Sequence, residues 1–298
     1  MRAIALHAIR GAKCRDEIRE GFWCSARPAA FAVSVSAILT SEAVHSIWRK
    51  TMSIAMVTGA GSGIGRVVAR KLIDDGFTVL LVGRRKDKLQ ETADGASDEN
   101  RAVPFACDVT EPASVETLFS FVEDRFGRLD VLFNNAGISA KGALPDELSI
   151  EDWTRVISTN LTGVYLVARG AFSLMRRQLP QGGRIINNGS VSSYVPRPHA
   201  IAYNASKHAV TGITKSLSLD GRPFNIACGQ IDIGNVRTEM VSEIVSGIRQ
   251  ADNSLRSEPT FEVAHVADAV SYMARLPLEA NVQFMTVMAT TMPYIGRG

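Results

Sequence analysis

Tyr203 and Lys207 are the pair of side chains best suited to moving a proton. They lie four positions apart in a stretch, Tyr203–Leu219, whose apolar spacing predicts a helix. Both side chains then project from one helical face. A free tyrosine has a pKa of about 10 and carries protons poorly near neutrality. A neighbouring ammonium lowers that value by favouring the phenolate. Such a pair can give a proton to, or take one from, an oxygen on which charge builds. Each residue also has a plain structural reading, as a half-buried helix tyrosine and a solvated lysine, so the chemistry needs further parts around them.

The second part is a glycine-rich turn, Thr58-Gly59-Ala60-Gly61-Ser62-Gly63-Ile64-Gly65. It falls between an apolar strand, Ile54–Val57, and an amphipathic helix predicted over Ile64–Asp75, where a dinucleotide fingerprint must sit. Gly59 allows a sharp turn at the strand end. Gly63 lets the backbone approach a pyrophosphate, and Gly65 lets the helix pack close to the sheet. Open N–H groups from Ser62 to Gly65, with the helix dipole, would hold the phosphates. About twenty residues on, an NAD-binding chain places an acid on the ribose hydroxyls. Here that point reads Val82-Gly83-Arg84-Arg85. An acid repels a 2′-phosphate, whereas arginine grips one with a bidentate fork. Arg84 and Arg85 therefore point to NADP rather than NAD.

The elements that must position these groups recur regularly. Short apolar strands are predicted at Ile54–Val57, Thr78–Val82, Val103–Ala106, Leu129–Phe133, Arg184–Asn187, Asn225–Ile231 and Phe284–Met288. Helices are predicted at Ile64–Asp75, Ala113–Phe126, Asp152–Met175 and Tyr203–Leu219. Continuous apolar strands alternating with amphipathic helices imply an α/β fold, a single Rossmann-type doubly wound domain with a mostly parallel seven-stranded sheet covered on both faces. This domain is assigned to residues 52–298. Residues 1–51 break the pattern and read as a disordered or loosely docked extension, or as a mis-assigned start, since Met52 directly precedes the first strand.

Composition excludes several classes. The chain has 298 residues, 46% of them hydrophobic, and a net charge of +3. Residues 1–50 hold eight Lys/Arg and four Asp/Glu, leaving 25 basic and 26 acidic side chains in the rest. That near-neutral body argues against a nucleic-acid partner. The longest apolar run, Ala29–Leu39, is too short to span a bilayer, so no membrane partner is expected. Cys14, Cys24, Cys107 and Cys228 form no C-x-x-C pair, and with His7, His45, His199, His208 and His265 they make no metal-ligand spacing. No metal is expected, and the thiols read as reduced, which suits the cytoplasm.

Taken in order, the motifs resemble those of the short-chain dehydrogenase/reductase family over about residues 53–290, notably its NADP-preferring 3-oxoacyl carrier-protein reductase-like members. The likeness rests on Thr58 to Gly65, then Asp108-Val109 after the third strand. Next come Asn134-Asn135-Ala136-Gly137 after the fourth strand and Asn160 within Thr159-Asn160-Leu161-Thr162-Gly163. Ser190 and Tyr203-Asn204-Ala205-Ser206-Lys207 complete the series. The resemblance implies hydride transfer between NADP(H) and a small-molecule carbonyl or secondary alcohol. Tyr203 would be the general acid or base, with Ser190, 13 residues earlier, holding the substrate oxygen. Lys207 would bind the nicotinamide ribose, and Asn160 would support a water linking Lys207 to solvent. Asp108 and Val109 would lie near the adenine, and Asn135, Ala136, Gly137, Ile233 and Thr238 would complete the cofactor site. Ser192 and Ser193 are alternatives to Ser190. A homodimer or homotetramer paired through the helices at Asp152–Met175 and Tyr203–Leu219 is the implied assembly.

The chain departs from the family's pattern in three places. Ile233-Gly234 stands where Pro-Gly is usual, with Thr238 in register. Gly229 stands where asparagine is frequent, and Gly189 where a second serine often precedes the catalytic one. Val241–Thr260 should fold over the site as a lid. Arg197 and His199 either border the pocket or are exposed loop polars beside Pro196 and Pro198. A non-catalytic cofactor-binding regulator of the same fold would be expected to lose Tyr203 or Lys207, and this chain has both. A sheet-based methyltransferase has no use for that pair.

Overall fold

The computed structural model describes residues 53–238 and 247–295. The extension assigned to 1–51 and the lid residues 241–246 lie outside the described residues. The body alternates strand and helix: β1 (Ile54–Thr58), α1 (Gly63–Asp74), β2 (Thr78–Gly83), α2 (Lys86–Asp94), β3 (Ala102–Ala106) and α3 (Pro112–Phe126). It continues with β4 (Val131–Asn134), α4 (Ile150–Ile157), α5 (Val164–Arg177), β5 (Gly183–Asn188) and α6 (Ile201–Asp220), and ends with β6 (Ile226–Ile233), α7 (Val263–Arg275) and β7 (Phe284–Val287).

The seven strands form one sheet in the order β7-β6-β5-β4-β1-β2-β3, and every neighbouring pair is parallel. Parallel strands must be joined by crossovers, and the helices supply them on both faces. Successive strand side chains alternate between those faces. Ala55 and Val57 face the layer holding Val68 and Leu72 of α1, Leu89 of α2 and Val270 of α7. Ile54 and Met56 face Leu118 of α3 and Val167 and Leu174 of α5. Each such valine, leucine, isoleucine or methionine, fully buried, contributes about 1.5–3 kcal/mol. The chain reverses its winding between β1 and β4, and the crevice at that switch point opens at the strands' carboxyl ends.

The helix expected over Asp152–Met175 is not a single α-helix. Six residues, Ser158–Gly163, form a π-helical turn between α4 and α5. The widened turn swings Asn160 inward, where it is buried. Gly163 permits it, since a Cβ there would lie 2.9 Å from Val109 Cγ2. Helix α2 follows Arg85 directly and escaped the sequence reading because Leu89 is its one large apolar residue. Two short pairings lie outside the main sheet, Val236–Arg237 with Phe261–Glu262 and Ile248–Arg249 with Leu255–Arg256. Among the described residues no helix is long and apolar enough to cross a membrane.

At the far end of the sheet, Arg184 on β5 is almost wholly buried. Its Nη1 donates to Asn281 Oδ1 at 3.0 Å. Its Nη2 reaches the carbonyls of Leu276, Pro277 and Ala280 at 3.2, 3.0 and 2.8 Å. The guanidinium thus ties the α7–β7 connection to the sheet, and burial lowers its pKa. Arg184→Met should strand these acceptors and cost about 2–4 kcal/mol of folding stability. Denaturant unfolding of the variant beside the parent checks this, and an unchanged midpoint would refute it.

Candidate active site

The crevice at the switch point is closed by Thr58, the last residue of β1. Its buried Oγ1 accepts from the backbone N–H of Asn135 at 2.8 Å and of Ala136 at 2.9 Å. Its carbonyl accepts from Asn135 Nδ2 at 2.8 Å. Sequence motifs 77 residues apart therefore meet as one hydrogen-bonded corner.

From this corner the glycine turn leads into α1. Gly59 and Gly63 take left-handed φ values of 68° and 51°, a region open to glycine and costly for other residues. A Cβ on Gly65 would stand 2.2 Å from the Gly59 carbonyl and 2.7 Å from Asn135 Nδ2. The close approach expected of Gly65 is thus to its own turn and to the loop after β4. Ser62 caps α1 in extended conformation without using its hydroxyl, and the first turn carries no acid. The helix N-terminus keeps open N–H groups at its positive end, which is a ready anion site. Thr238 stands opposite, its Cβ 3.8 Å from where a Gly63 Cβ would be. Two side chains that the sequence reading did not single out brace this turn from α1 and α2. Arg66 Nη2 donates to Gly61 O at 2.6 Å, and Thr92 Oγ1 donates to Ala60 O at 2.9 Å.

Arg84 and Arg85 leave the end of β2 exposed to solvent. Asp108 follows β3 nearby. Desolvation pushes its carboxyl up, but hydrogen bonds from the Thr110 N–H and hydroxyl, at 3.0 and 2.8 Å, and the Arg84 charge outweigh this and hold it below its ordinary value. The Arg84 guanidinium and the Asp108 carboxylate therefore belong to one neighbourhood, and Val109 beside them is buried.

On the other side of the crevice, α6 presents Tyr203 half-buried and Lys207 buried. Lys207 Nζ lies 5.6 Å from the centre of the Tyr203 ring and donates to Asn188 O at 2.8 Å. Asn188 Nδ2 in turn donates to Asn135 Oδ1 at 2.8 Å, so the lysine is tied back to the Thr58 corner. Asn160 bridges two elements. Its Oδ1 accepts from Ile138 N at 2.8 Å, and its Nδ2 donates to Ile138 O at 2.8 Å and to Ser206 Oγ at 3.3 Å. It thereby orients the loop after Asn135-Ala136-Gly137 and touches the residue preceding Lys207. Ser190, buried, starts the short 3-10 turn Val191–Ser193, and its Oγ accepts from Ser192 N at 3.1 Å. Ser192 and Ser193 are buried as well. Ile233 ends β6, paired with Val287 of β7.

A recess of about 400 Å³ flanks α6 and is lined by Pro145, Arg197, His199, Asn204 and His208 among others, but not by Tyr203, Lys207 or Ser190. A narrower one borders Tyr203 together with Ser139, Lys141 and Leu148. His199 lines both, and its φ is 60°. Arg197 is not a solvated loop residue. Its Nη2 bonds Asn235 Oδ1 at 2.9 Å and Glu258 Oε2 at 2.8 Å. Glu258, buried, also accepts from Gln250 Nε2 at 3.0 Å. The described part of the expected lid is thus latched onto the loops after Ser190 and after β6. No local signal marks Glu258, because its partners are far away in sequence.

The description short chain dehydrogenase fits a family model that matches residues 53–249. A 3beta-hydroxysteroid dehydrogenase from Mediterraneibacter gnavus is 38% identical over 179 residues, a span covering 60% of this chain and 64% of that relative. Actinorhodin polyketide ketoreductase, solved with NADPH, aligns with a TM-score of 0.72 at 31% identity over 80% of this chain and 97% of its own. A 3-ketoacyl-(acyl-carrier-protein) reductase from Brucella melitensis, complexed with NADH, gives 0.70 at 25% identity over 80% of this chain and 98% of its own. With motifs, sheet order and relatives in agreement, the chain belongs to the short-chain dehydrogenase family and is an oxidoreductase.

Proposed function

We propose that this oxidoreductase transfers a hydride between NADP(H) and the carbonyl or secondary alcohol carbon of a small molecule, with Tyr203 as the proton donor or acceptor. The observation that carries the reading is the Tyr203–Lys207 pair: one face of α6, the ammonium 5.6 Å from the ring, and that ammonium held by the Asn188 carbonyl.

The residues present fit a dinucleotide. The uncapped N-terminus of α1 and the turn at Gly59, Ser62, Gly63, Ile64 and Gly65 would take the pyrophosphate, with Thr238 opposite. Asp108 and Val109 would border the adenine, and Arg84 and Arg85 the 2′-phosphate. Asn135, Ala136, Gly137 and the Ile233 backbone would line the nicotinamide half. The nicotinamide, when bound, supplies or accepts the hydride. In the reducing direction Tyr203 gives its hydroxyl proton to the substrate oxygen as negative charge builds there. Lys207 stabilises the tyrosinate left behind and holds the ribose. Ser190 fixes the substrate oxygen by hydrogen bonding, and Asn160 keeps α6 and the loop after β4 in register for proton return through a water.

The assembly that suits these parts is a homodimer or homotetramer. Trp153 on α4, Tyr165 on α5 and Leu219 on α6 are exposed apolar side chains on the two helical segments expected to pair. Packing α6 against a partner would hold Tyr203 and Lys207 rigid. A cytoplasmic setting suits the thiols, since Cys107 and Cys228 are free and buried, and burial pushes Cys228 up to about 12.

Tyr203→Phe should retain fold and cofactor binding while kcat falls about 10²–10⁴-fold. Lys207→Ala should lower kcat and also raise the cofactor KM. Steady-state kinetics on a panel of ketones, sugars and acyl thioesters supply the measurement. A fully active Tyr203→Phe enzyme would refute the assignment, and cofactor binding with no turnover on any class would favour a regulatory protein. For cofactor choice, kcat/KM should favour NADPH over NADH, and Arg84→Asp should move the preference toward NADH. Equal values in the parent would sink the role given to Arg84.

A further inference from the structure

Gly189, one of the chain's departures from the family pattern, has a physical partner. A Cβ at this position would lie 2.1 Å from Asp232 Oδ1 and 2.6 Å from Gln230 Nε2. The missing side chain is the space into which the Asp232 carboxyl fits. Asp232 sits on β6 and is 1% exposed. Its Oδ1 accepts from the Ser190 N–H at 3.0 Å and from Gln230 Nε2 at 2.7 Å, and the Ser193 hydroxyl bonds the same carboxyl. Its Oδ2 is buried with no hydrogen-bond partner among the described residues.

Gln230 carries the connection onward to α6. Its Nε2 also donates to Thr211 Oγ1 at 3.0 Å, and its Oε1 accepts from Thr214 Oγ1 at 3.0 Å. Thr211 and Thr214 lie one and two turns beyond Lys207 on the same face. The carboxyl therefore joins the turn that begins at Ser190, the end of β6 and the helix of Tyr203 and Lys207. Burial raises its pKa ahead of the opposing pull of Gln230, Ser190, Ser193 and the Lys207 charge. The phenols of Tyr194 and Tyr294 face it as well, and each is raised by burial first and by Asp232 second. None of these groups turns the carboxyl toward solvent.

We propose that Asp232 is a positioning residue for Ser190: its buried oxygen holds the Ser190 amide, and through it the direction of the Ser190 hydroxyl, while Gly189 admits the carboxyl. The proposal rests on the reading that Ser190 holds the substrate oxygen. The needed feature is an acceptor at Oδ1 rather than a charge. Asparagine supplies it, whereas alanine leaves the Ser190 N–H only its longer 3.3 Å bond to Ser193 Oγ and Gln230 Nε2 only its bond to Thr211, a loss of two hydrogen bonds at a buried site.

The full chain, assayed with NADPH and its best ketone, provides the test. Asp232→Ala should lower kcat about 10–100-fold with the NADPH dissociation constant unchanged. Asp232→Asn should restore kcat to within about twofold of the parent. Combined with Ser190→Ala, Asp232→Ala should add less than about a twofold further loss, because a misdirected hydroxyl and an absent one are equivalent. If Asp232→Ala does not fold, Gly189→Ala, which displaces the carboxyl, should show the same loss and the same non-additivity. Undiminished losses in the double variant, an asparagine variant as impaired as alanine, or full activity in Asp232→Ala would each overturn the proposal while leaving the role of Ser190 standing. A fully active Ser190→Ala enzyme would overturn the reading of Ser190 itself, and this proposal with it.

Discussion

Everything in the site hangs on the corner where Thr58 meets the loop after β4. Helices leave β1 and β4 toward opposite faces of the sheet, so a crevice opens between these strands. Unbraced, the crevice would leave backbone N–H groups of the loop after β4 unsatisfied at the carboxyl end of the central strands. Thr58 satisfies two of them with one buried oxygen, and Asn135 returns a bond to the Thr58 carbonyl. The glycine turn is pressed against this corner, since Gly65 leaves no room for even a methyl group beside Gly59 and Asn135. Lys207 reaches it through Asn188. The residues proposed to bind the cofactor and move the proton are therefore built on one hydrogen-bonded mesh rather than on independent loops, which suits chemistry that tolerates little displacement.

A second mesh lies behind the first. It runs from Thr211 and Thr214 on α6 through Gln230 and Asp232 on β6 to Ser190. Parallel strands buried on both faces are usually apolar, so polar side chains at Asn187, Gln230 and Asp232 are costly unless paired. They are paired here, with the Asp232 Oδ2 as the exception. Gly189 belongs with this mesh as the room for the carboxyl. Gly229 is explained separately, since a Cβ there would stand 2.1 Å from the Val282 carbonyl, and its absence lets the chain before β7 pass close to β6.

The outer wall of the site is held differently. Arg197, Asn235, Gln250 and Glu258 come from three loops and converge in a largely buried ion-paired cluster. The buried Glu258 would be costly without Arg197, so the contact couples the lid's described part to the segment between Ser190 and Tyr203. The described part of the expected lid is thus fastened to the same loops that carry the proposed chemistry.

What the sequence determined by itself was local or periodic. Apolar strands alternating with amphipathic helices specified the parallel, doubly wound sheet, and strand ends fell within one or two residues of their expected places. The four-residue spacing of Tyr203 and Lys207 placed them on one helical face because helix geometry depends on neighbours alone. The glycine turn was legible because its backbone demands are met by glycine and little else. Tertiary structure decided whatever needed partners distant along the chain. The π-helical turn at Asn160 has no periodic signature, and the bonds its buried side chain makes go to Ile138, 22 residues away. The sequence leaves Arg197 open between a pocket border and a loop polar, and only Glu258, 61 residues later, fixes where its guanidinium goes. Asp232 and Ser190 are separated by 42 residues, and no local pattern says that a carboxyl on one strand will need a glycine on the next. Burial of polar groups is settled by who else arrives in the same place, and that is a property of the folded chain.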